Sequence, residues 1–400
     1  MKALARAAWR GQWWAVAAAV ACTSATAGCT SANSGAEPPG VKDAAPSQEA
    51  AASDANAGVP GRDATVDDAA PARDGGATDE DAGSDAGCAT GSMGEALDLR
   101  CTGLYSDWAS KTIASDVHAY DPGLHLWSDG ADKNRWIQLP PGTQIDSSNM
   151  DEWNFPTGTK VWKEFLLNGQ PVETRLLWKY TDAAWYATVY RWSADQASAP
   201  ELTAGQQNVD DAGYEIPAAQ ACPDCHKGRI DYVLGFEAVA LSSPDASGLT
   251  MSALLAANLL TTPPAQPLVI PGDATTSAAL GYMHMNCGVS CHNRDTGGAT
   301  QTAFYARLDV SQLVDGGVRA TDLWMSGVNQ MSHFLLPGAA HSVVFAPNDV
   351  DASVAYYRMD HRDFPILQDG GGIQMPPIIT HKLDDAGLAI VSAWINSGCQ

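Results

Sequence analysis

One pentapeptide of the chain combines two cysteines and a histidine at close spacing. It reads Cys222-Pro223-Asp224-Cys225-His226. On one helical turn the two thiols lie side by side and can add to the two vinyl groups of a porphyrin, while the following imidazole reaches the iron. A redox dithiol and half of a zinc site remain open as alternatives. The histidine directly after the second cysteine favours haem.

A second cysteine–histidine motif has one additional residue between its cysteines. It spans residues 287–292 and reads C-G-V-S-C-H. On a regular helix the additional residue turns the first thiol by about 100° relative to the second. Gly288 can absorb this difference by letting the chain leave helical geometry. We therefore expect a second haem attached through Cys291. Cys287 either forms a second thioether or remains outside the attachment, where it can pair with Cys399.

Methionine commonly supplies the second axial ligand of a c-type haem. We predict this role for Met375, because prolines follow it directly and the glycines at 370–372 precede it closely. The prolines stiffen the backbone, and the glycines let it approach a porphyrin. Met331 and Met359 are weaker candidates. The predicted axial ligands are His226 at the first iron, and His292 with Met375 at the second.

The first haem has no obvious distal ligand in the sequence. Met251, His118 and His125 are available by residue type, and only Met251 lies near the first motif along the chain. An open sixth position on the iron would permit peroxide or small-ligand chemistry. His284, just before the second motif, is expected to be structural.

The N-terminal residues have the pattern of an export signal. Basic residues precede a short apolar run, Trp13–Ala21, that is too short to span a bilayer as a lasting helix. The small residues before Cys29 resemble a bacterial lipoprotein signal, which places the lipid on Cys29. Cys22 is a competing lipidation site, and ordinary cleavage near Ala27 is the alternative to lipidation.

A low-complexity segment follows the signal. From Thr30 to Gly87 the chain contains no Trp, Phe, Tyr, Leu or Ile. Such a segment cannot bury enough apolar surface to offset its ordering entropy, so we expect a disordered linker that its aspartates extend. Cys88 and Cys101 lie at its end, and export favours a disulfide between them.

The region between this linker and the first motif alternates in the manner of β-strands. Leu176 and Trp178 share one face of a predicted strand, and Arg175 and Lys179 share the other. Turn signals such as Asn168-Gly169 separate the strands. An antiparallel sandwich is the expected result. Its many aromatic residues indicate a packed core, with an exposed platform for a sugar or another flat ligand as the alternative.

The end of the chain predicts an amphipathic helix. Asp384 and Asp385 open it, and the apolar residues that follow recur with helical spacing. Such a helix would close a cytochrome c-like domain. The apolar stripe consists of Leu388, Val391, Trp394 and Ile395.

Composition and charge exclude some classes of protein. The chain has 400 residues, of which 45% are hydrophobic, so disorder throughout is excluded. Lys and Arg total 23 against 46 Asp and Glu, which gives a formal net charge of −23. Such a polyanion repels nucleic-acid phosphates, and no nucleic-acid partner is expected.

Several short motifs together resemble a known family. Over roughly residues 116 to 398 the chain is similar to a largely uncharacterised family of exported bacterial di-haem cytochrome c-like proteins. The resemblance implies two covalent haems and electron transfer, but no known substrate. The lengthened second motif departs from the family pattern. The matching motifs are Leu126–Ala131, Leu139–Gly142, Trp153–Thr159, Glu173–Leu177, Tyr282-x-His284-x-Asn286-Cys287, Met375-Pro376-Pro377 and Trp394-Ile395.

The expected fold class is therefore α+β. An antiparallel β-sandwich-like domain precedes mostly α-helical, cytochrome c-like haem regions. The expected divisions are residues 1–29 (signal peptide), 30–90 (acidic linker), 91–212 (β-rich domain), 213–265 (first haem-binding segment) and 266–400 (cytochrome c-like domain).

The expected function is haem binding and electron transfer at the cell envelope by an exported protein, periplasmic or attached to the outer membrane. Its expected partners are redox proteins of the envelope and, through the lipid anchor, the membrane. A di-haem peroxidase-like enzyme and a carbohydrate-binding module with attached haems are the alternatives.

Overall fold

A computed structural model describes residues 88–295, 298–299, 301–362 and 374–400. The predicted signal, both candidate lipidation cysteines, the linker up to residue 87 and the glycines at 370–372 lie outside the described residues. All described residues belong to one compact unit, Thr78–Gln400. None of the described helices is long and apolar enough to cross a membrane.

Strands dominate the first half of the described chain and short helices the second. The strands are β1 (Tyr105–Asp107), β2 (Thr112–Ile113), β3 (His118–Asp121), β4 (Asp132–Gln138), β5 (Lys160–Leu167), β6 (Gln170–Thr181), β7 (Ala184–Arg191), β8 (Gln206–Val209), β9 (Tyr214–Ile216) and β10 (Ser247–Gly248). The α-helices are α1 (Cys222–His226), α2 (Ala238–Leu241), α3 (Met251–Ala256), α4 (Ala274–Met283), α5 (Val310–Asp315), α6 (Asp322–Gly327), α7 (Val354–Met359) and α8 (Asp385–Asn396).

The principal sheet has six antiparallel strands in the order β10-β3-β4-β5-β6-β7. Two further sheets, β1-β2 and β8-β9, have two strands each. The fold is thus α+β, as the sequence predicts. Where the sequence led us to expect a sandwich of two sheets, loops and helices cover both faces of this one large sheet.

The hairpin of β5 and β6 shows how the local sequence produces the sheet. Asn168 and Gly169 connect the strands with φ values of 51° and 77°. Both values are positive, as a tight hairpin turn that follows the twist of the strands requires, and Asn and Gly tolerate them best. Alternation then sends Leu176 to one face and Leu177 to the other, where each joins a different core cluster.

One face of the sheet packs against the N-terminal segment. Trp162, Leu176 and Tyr190 lie in a buried cluster with Leu99 and Leu104. A disulfide joins Cys88 to Cys101, with the Cα atoms 5.7 Å apart, and secures this segment. The tryptophans between residues 108 and 192 are buried or half-buried, which supports the packed-core interpretation of the aromatic residues.

The opposite face packs against the chain that follows the first motif. Ile137 and Val161 of the sheet contact a cluster that includes Phe236, Leu241 and Leu254. The β-rich region and the first haem-binding segment therefore share a core, although the sequence predicts them as separate divisions.

The predicted C-terminal helix is confirmed as α8. Its N-cap is Asp384, whose carboxylate accepts a hydrogen bond from the backbone N–H of Gly387 at 2.9 Å. The four predicted apolar residues are buried and pack with Leu280 and Met283 of α4. Cys399 is buried in the same cluster, and both it and Cys287 are free thiols, so the two do not pair.

Candidate functional site

The first motif forms the helix α1 itself. Pro223 stands in its first turn, where the missing N–H costs no helical hydrogen bond. Cys222 and Cys225 are free, partly buried thiols on this turn. Burial raises the pKa of both thiols, and the positive charge of Arg175 acts in the opposite direction. The motif therefore has the helical geometry that its spacing predicts.

The imidazole of His226 is held in one tautomer and one orientation. Its Nδ1–H donates to the carbonyl oxygen of Tyr232 at 2.6 Å. A carbonyl can only accept, so the proton lies on Nδ1 and Nε2 keeps its lone pair. Burial lowers the pKa of His226 to about 4, so the ring is neutral at neutral pH. A histidine that ligates iron needs this arrangement.

The second motif accommodates its additional residue by leaving α-helical geometry. Residues His284–Gly288 form a π-helical turn, and the N–H of His292 donates to the carbonyl of Cys287 at 2.8 Å. This bond spans five residues, whereas the corresponding α-helical bond spans four. The step from Cys287 to Cys291 therefore covers a similar fraction of a turn as the step from Cys222 to Cys225. The departure from α-helical geometry predicted around Gly288 is confirmed.

Gly288 itself is required for a different reason from the one predicted. Its φ is not positive, so backbone freedom is not what the position demands. A Cβ atom there would lie 2.6 Å from the carbonyl carbon of Ala306 and from the Cα of Arg307. Glycine is therefore needed because the chain after the second motif passes directly against it.

His292 repeats the arrangement of His226. Its Nδ1–H donates to the carbonyl of Phe304 at 3.2 Å, and the two rings lie 5.1 Å apart. Burial is the main reason that its pKa falls to about 4, and the nearby Arg358 adds to the effect. The Nε2 lone pair is again left for a metal. Burial, and to a smaller extent the charge of Cys291, raises the pKa of Cys287 to about 12.

The two motifs lie in direct contact. The side-chain amide of Asn293 donates to the carbonyl of Gly228 at 3.3 Å. A Cβ atom at Gly228 would overlap the carbonyl oxygen of Ser290. Burial is the main reason that the pKa of Cys291 is raised, and the charge of Cys225 adds to the effect. The fold therefore brings together two sites that lie far apart along the chain.

A loop of the β-rich region holds the second motif in place. The backbone N–H of Trp127 donates to the side-chain oxygen of Asn286 at 2.7 Å, and the amide of Asn286 donates to the carbonyl of His125 at 2.9 Å. Asp129 accepts from the backbone N–H groups of His381 (2.9 Å) and Lys382 (3.1 Å). The family-like motif around Asp129 thus joins the second motif to the chain that follows Met375.

Met375 is partly buried and is tied by its backbone to α7. Its N–H donates to the carbonyl of Arg358, whose charge acts on His292. The guanidinium of Arg362 donates to the carbonyls of Met359, His361, Met375 and Lys382, at 2.8 to 3.3 Å. Arg362 therefore organises the loop that presents Met375, a role that the sequence does not reveal because it depends on carbonyl groups.

The other candidate ligands have different surroundings. Met251 and Met359 are buried in apolar clusters, and Met331 is 62% exposed. His118 and His125 are exposed, and Nε2 of His125 lies 2.7 Å from a carboxylate oxygen of Asp121.

His284 has the structural role that the sequence predicts. Its Nδ1 accepts the N–H of Leu308 at 3.0 Å, so its Nε2–H faces the carboxylate of Glu237 at 3.4 Å. Both side chains are buried. Glu237 in turn accepts from backbone N–H groups at the start of α2.

The donor set of each motif fits haem. Each offers two neighbouring thiols and one neutral imidazole with a directed Nε2. Among the described residues, no group of three or more His, Cys, Asp or Glu side chains is placed to hold a metal ion by itself. The fit to haem therefore rests on the two thiols and the imidazole of each motif.

The chain matches no protein-family model, no curated protein and no solved structure. The resemblance described above is therefore carried by the motif residues alone. The interpretation of the site depends on its geometry and chemistry.

Proposed function

We propose that the protein is an exported di-haem c-type cytochrome that transfers electrons at the cell envelope and is anchored by a lipid on Cys29. The supporting observation is the contact between two cysteine–histidine motifs whose imidazoles both donate from Nδ1 to a main-chain carbonyl. Two such sites side by side suit the passage of electrons between them. A purely structural role for one of these histidines would not explain why both motifs hold their imidazole in the same way.

When bound, a haem supplies one-electron exchange between Fe(III) and Fe(II). The chain's own residues hold and tune that group. His226 and His292 offer Nε2 from fixed rings, and the carbonyls of Tyr232 and Phe304 make the imidazoles better electron donors through their hydrogen bonds.

The cysteines supply covalent attachment. We assign thioethers to Cys222 and Cys225 at the first site. At the second site we assign them to both Cys287 and Cys291, because the π-helical turn compensates for the additional residue. Met375 would offer its thioether sulfur to the iron at the second site, and Arg362 positions the chain that carries it through a hydrogen bond to the carbonyl of Met375.

Optical spectra of the purified exported protein test this function, with and without cyanide or peroxide. If the protein is an electron carrier, its spectra should show two c-type haems that are low-spin and do not react with cyanide or peroxide. A haem that is high-spin and binds cyanide would favour the peroxidase-like alternative. The paired variants Cys222→Ser/Cys225→Ser and Cys287→Ser/Cys291→Ser each remove one haem and assign the behaviour to a site. A wild-type protein without a c-type spectrum would refute the proposal.

A further inference from the structure

Three basic residues form a row across the principal sheet. Lys163 on β5 lies opposite Arg135 on β4 and opposite Arg175 on β6. Residues in direct register on neighbouring antiparallel strands project from the same face. Lys133 belongs to the same face, since it stands two positions before Arg135 on β4. Arg135, Lys163 and Arg175 are called the basic row below.

The basic row lies beside the first motif. After burial, the charge of Lys163 is the next cause of the lowered pKa of His226. Arg175 likewise acts on Cys222 and on Cys225. The cations are therefore close both to the thiols and to the imidazole of the first site.

The cations of the basic row differ in their carboxylate partners. Arg135 pairs with Asp121 at 3.2 Å, and Arg175 pairs with Glu173 at 2.6 Å. The ammonium of neighbouring Lys133 donates to the main-chain carbonyl of Leu126, and the charges of Asp132 and Asp384 also act on it. Lys163 has no carboxylate or carbonyl within hydrogen-bond distance among the described residues.

The unpaired Lys163 is costly in its position. Burial lowers the pKa of Lys163 well below its usual value, and Arg135, Lys133 and Arg175 lower it further. A partly buried ammonium next to other cations keeps its charge at neutral pH only if an anion reaches it, and otherwise loses its proton. Within the described part of the chain no carboxylate lies within hydrogen-bond distance of this ammonium, so the position favours an anionic group from elsewhere.

We propose that the basic row binds the propionate carboxylates of the haem attached at Cys222 and Cys225, an inference that rests on the proposed function. Haem carries two carboxylates, and covalent attachment keeps them permanently next to the basic row. Hydrogen bonds between charged partners are the strong ones, and a guanidinium binds a carboxylate through two parallel bonds. A soluble anion has the same chemistry but lacks this permanent proximity.

The test is Lys163→Gln in the full exported protein, with redox titration of both haems. Loss of the cation favours Fe(III), so the midpoint potential of the first haem should fall. The expected change in its Fe(III)/Fe(II) ratio at fixed potential is about tenfold, which corresponds to about 59 mV for one electron. The second haem should change less than about twofold, because the charge that acts on His292 is that of Arg358 and not that of a member of the basic row.

Lys227→Gln is the matched control. It removes the same charge beside His226, but from a side chain that is 53% exposed and screened by water. Its effect should be less than about twofold, and Lys163→Arg should restore the wild-type potential. An unchanged first potential in Lys163→Gln overturns the proposal, whether or not the protein transfers electrons.

Two further outcomes would also overturn it. A wild-type potential that shifts saturably with inorganic phosphate, and no longer does so in Lys163→Gln, would make the occupant a soluble anion. An intact mass without a haem at the first motif would refute the proposed function and this inference with it.

Discussion

Replacement of Gly228 by alanine tests the contact between the two motifs. The new Cβ would overlap the carbonyl group of Ser290 and lie 2.7 Å from its Cα. All three of these atoms are backbone, so no side-chain rotation can relieve the overlap. Overpacking lowers the free energy of unfolding by about 1–3 kcal/mol. Because the backbone here cannot move aside easily, we expect a loss of about 3 kcal/mol. In a unit of this size, each kcal/mol of lost stability lowers the melting temperature by about 2 °C. The melting temperature should therefore fall by about 6 °C.

Circular dichroism during thermal unfolding of the exported protein measures this effect. Gly298→Ala is the matched control, because its Cβ would meet only the sulfur of Cys291, at an ordinary 3.8 Å. The φ of neither glycine is positive, so backbone strain does not distinguish the two variants. Equal melting temperatures for the two variants would refute the packing of the first motif against the second.

Other predictions concern the second site and the anchor. Met375→His should lower one midpoint potential, because a thioether favours Fe(II) relative to imidazole; unmoved potentials would leave Met375 without a ligand role. Arg362→Gln frees the carbonyl of Met375 and should weaken the methionine–iron charge-transfer absorption at unchanged haem content, and retention of the full absorption would contradict its positioning role. Cys29→Ser should release the protein from membranes into the soluble fraction, whereas continued attachment would move the lipid to Cys22.

Features that depend on local sequence could be predicted. The β5–β6 hairpin follows from alternation and from the Asn168-Gly169 turn, and α8 follows from its aspartate cap and apolar stripe. The cysteine–histidine motifs and the Cys88–Cys101 disulfide are likewise local patterns. In each case neighbours in sequence are neighbours in space.

Features that depend on contacts between distant parts of the chain could not be predicted from the sequence. The basic row requires the register of three strands, and its members are separated by turns whose lengths determine that register. The need for glycine at position 288 depends on the distant chain at Ala306 and Arg307, which passes directly against it. The covering of the principal sheet also depends on distant contacts, since alternation indicates which face of a strand is apolar but not which element packs against it.

The contact between the motifs had no sequence signal at all. Nothing in the local sequence shows why position 228 is a glycine. The close approach of the Ser290 backbone, which leaves no room for a Cβ atom, explains it. Arg362 was missed because its partners are carbonyl groups, which every residue possesses.

The intact mass of the mature exported protein tests the central claim most directly. We predict the mass of two haems, with peptides around residues 280–294 carrying thioethers at both Cys287 and Cys291. A single haem with the second motif unmodified would contradict the di-haem account and leave Met375 without an iron. A mass without haem would contradict the assignment of both motifs.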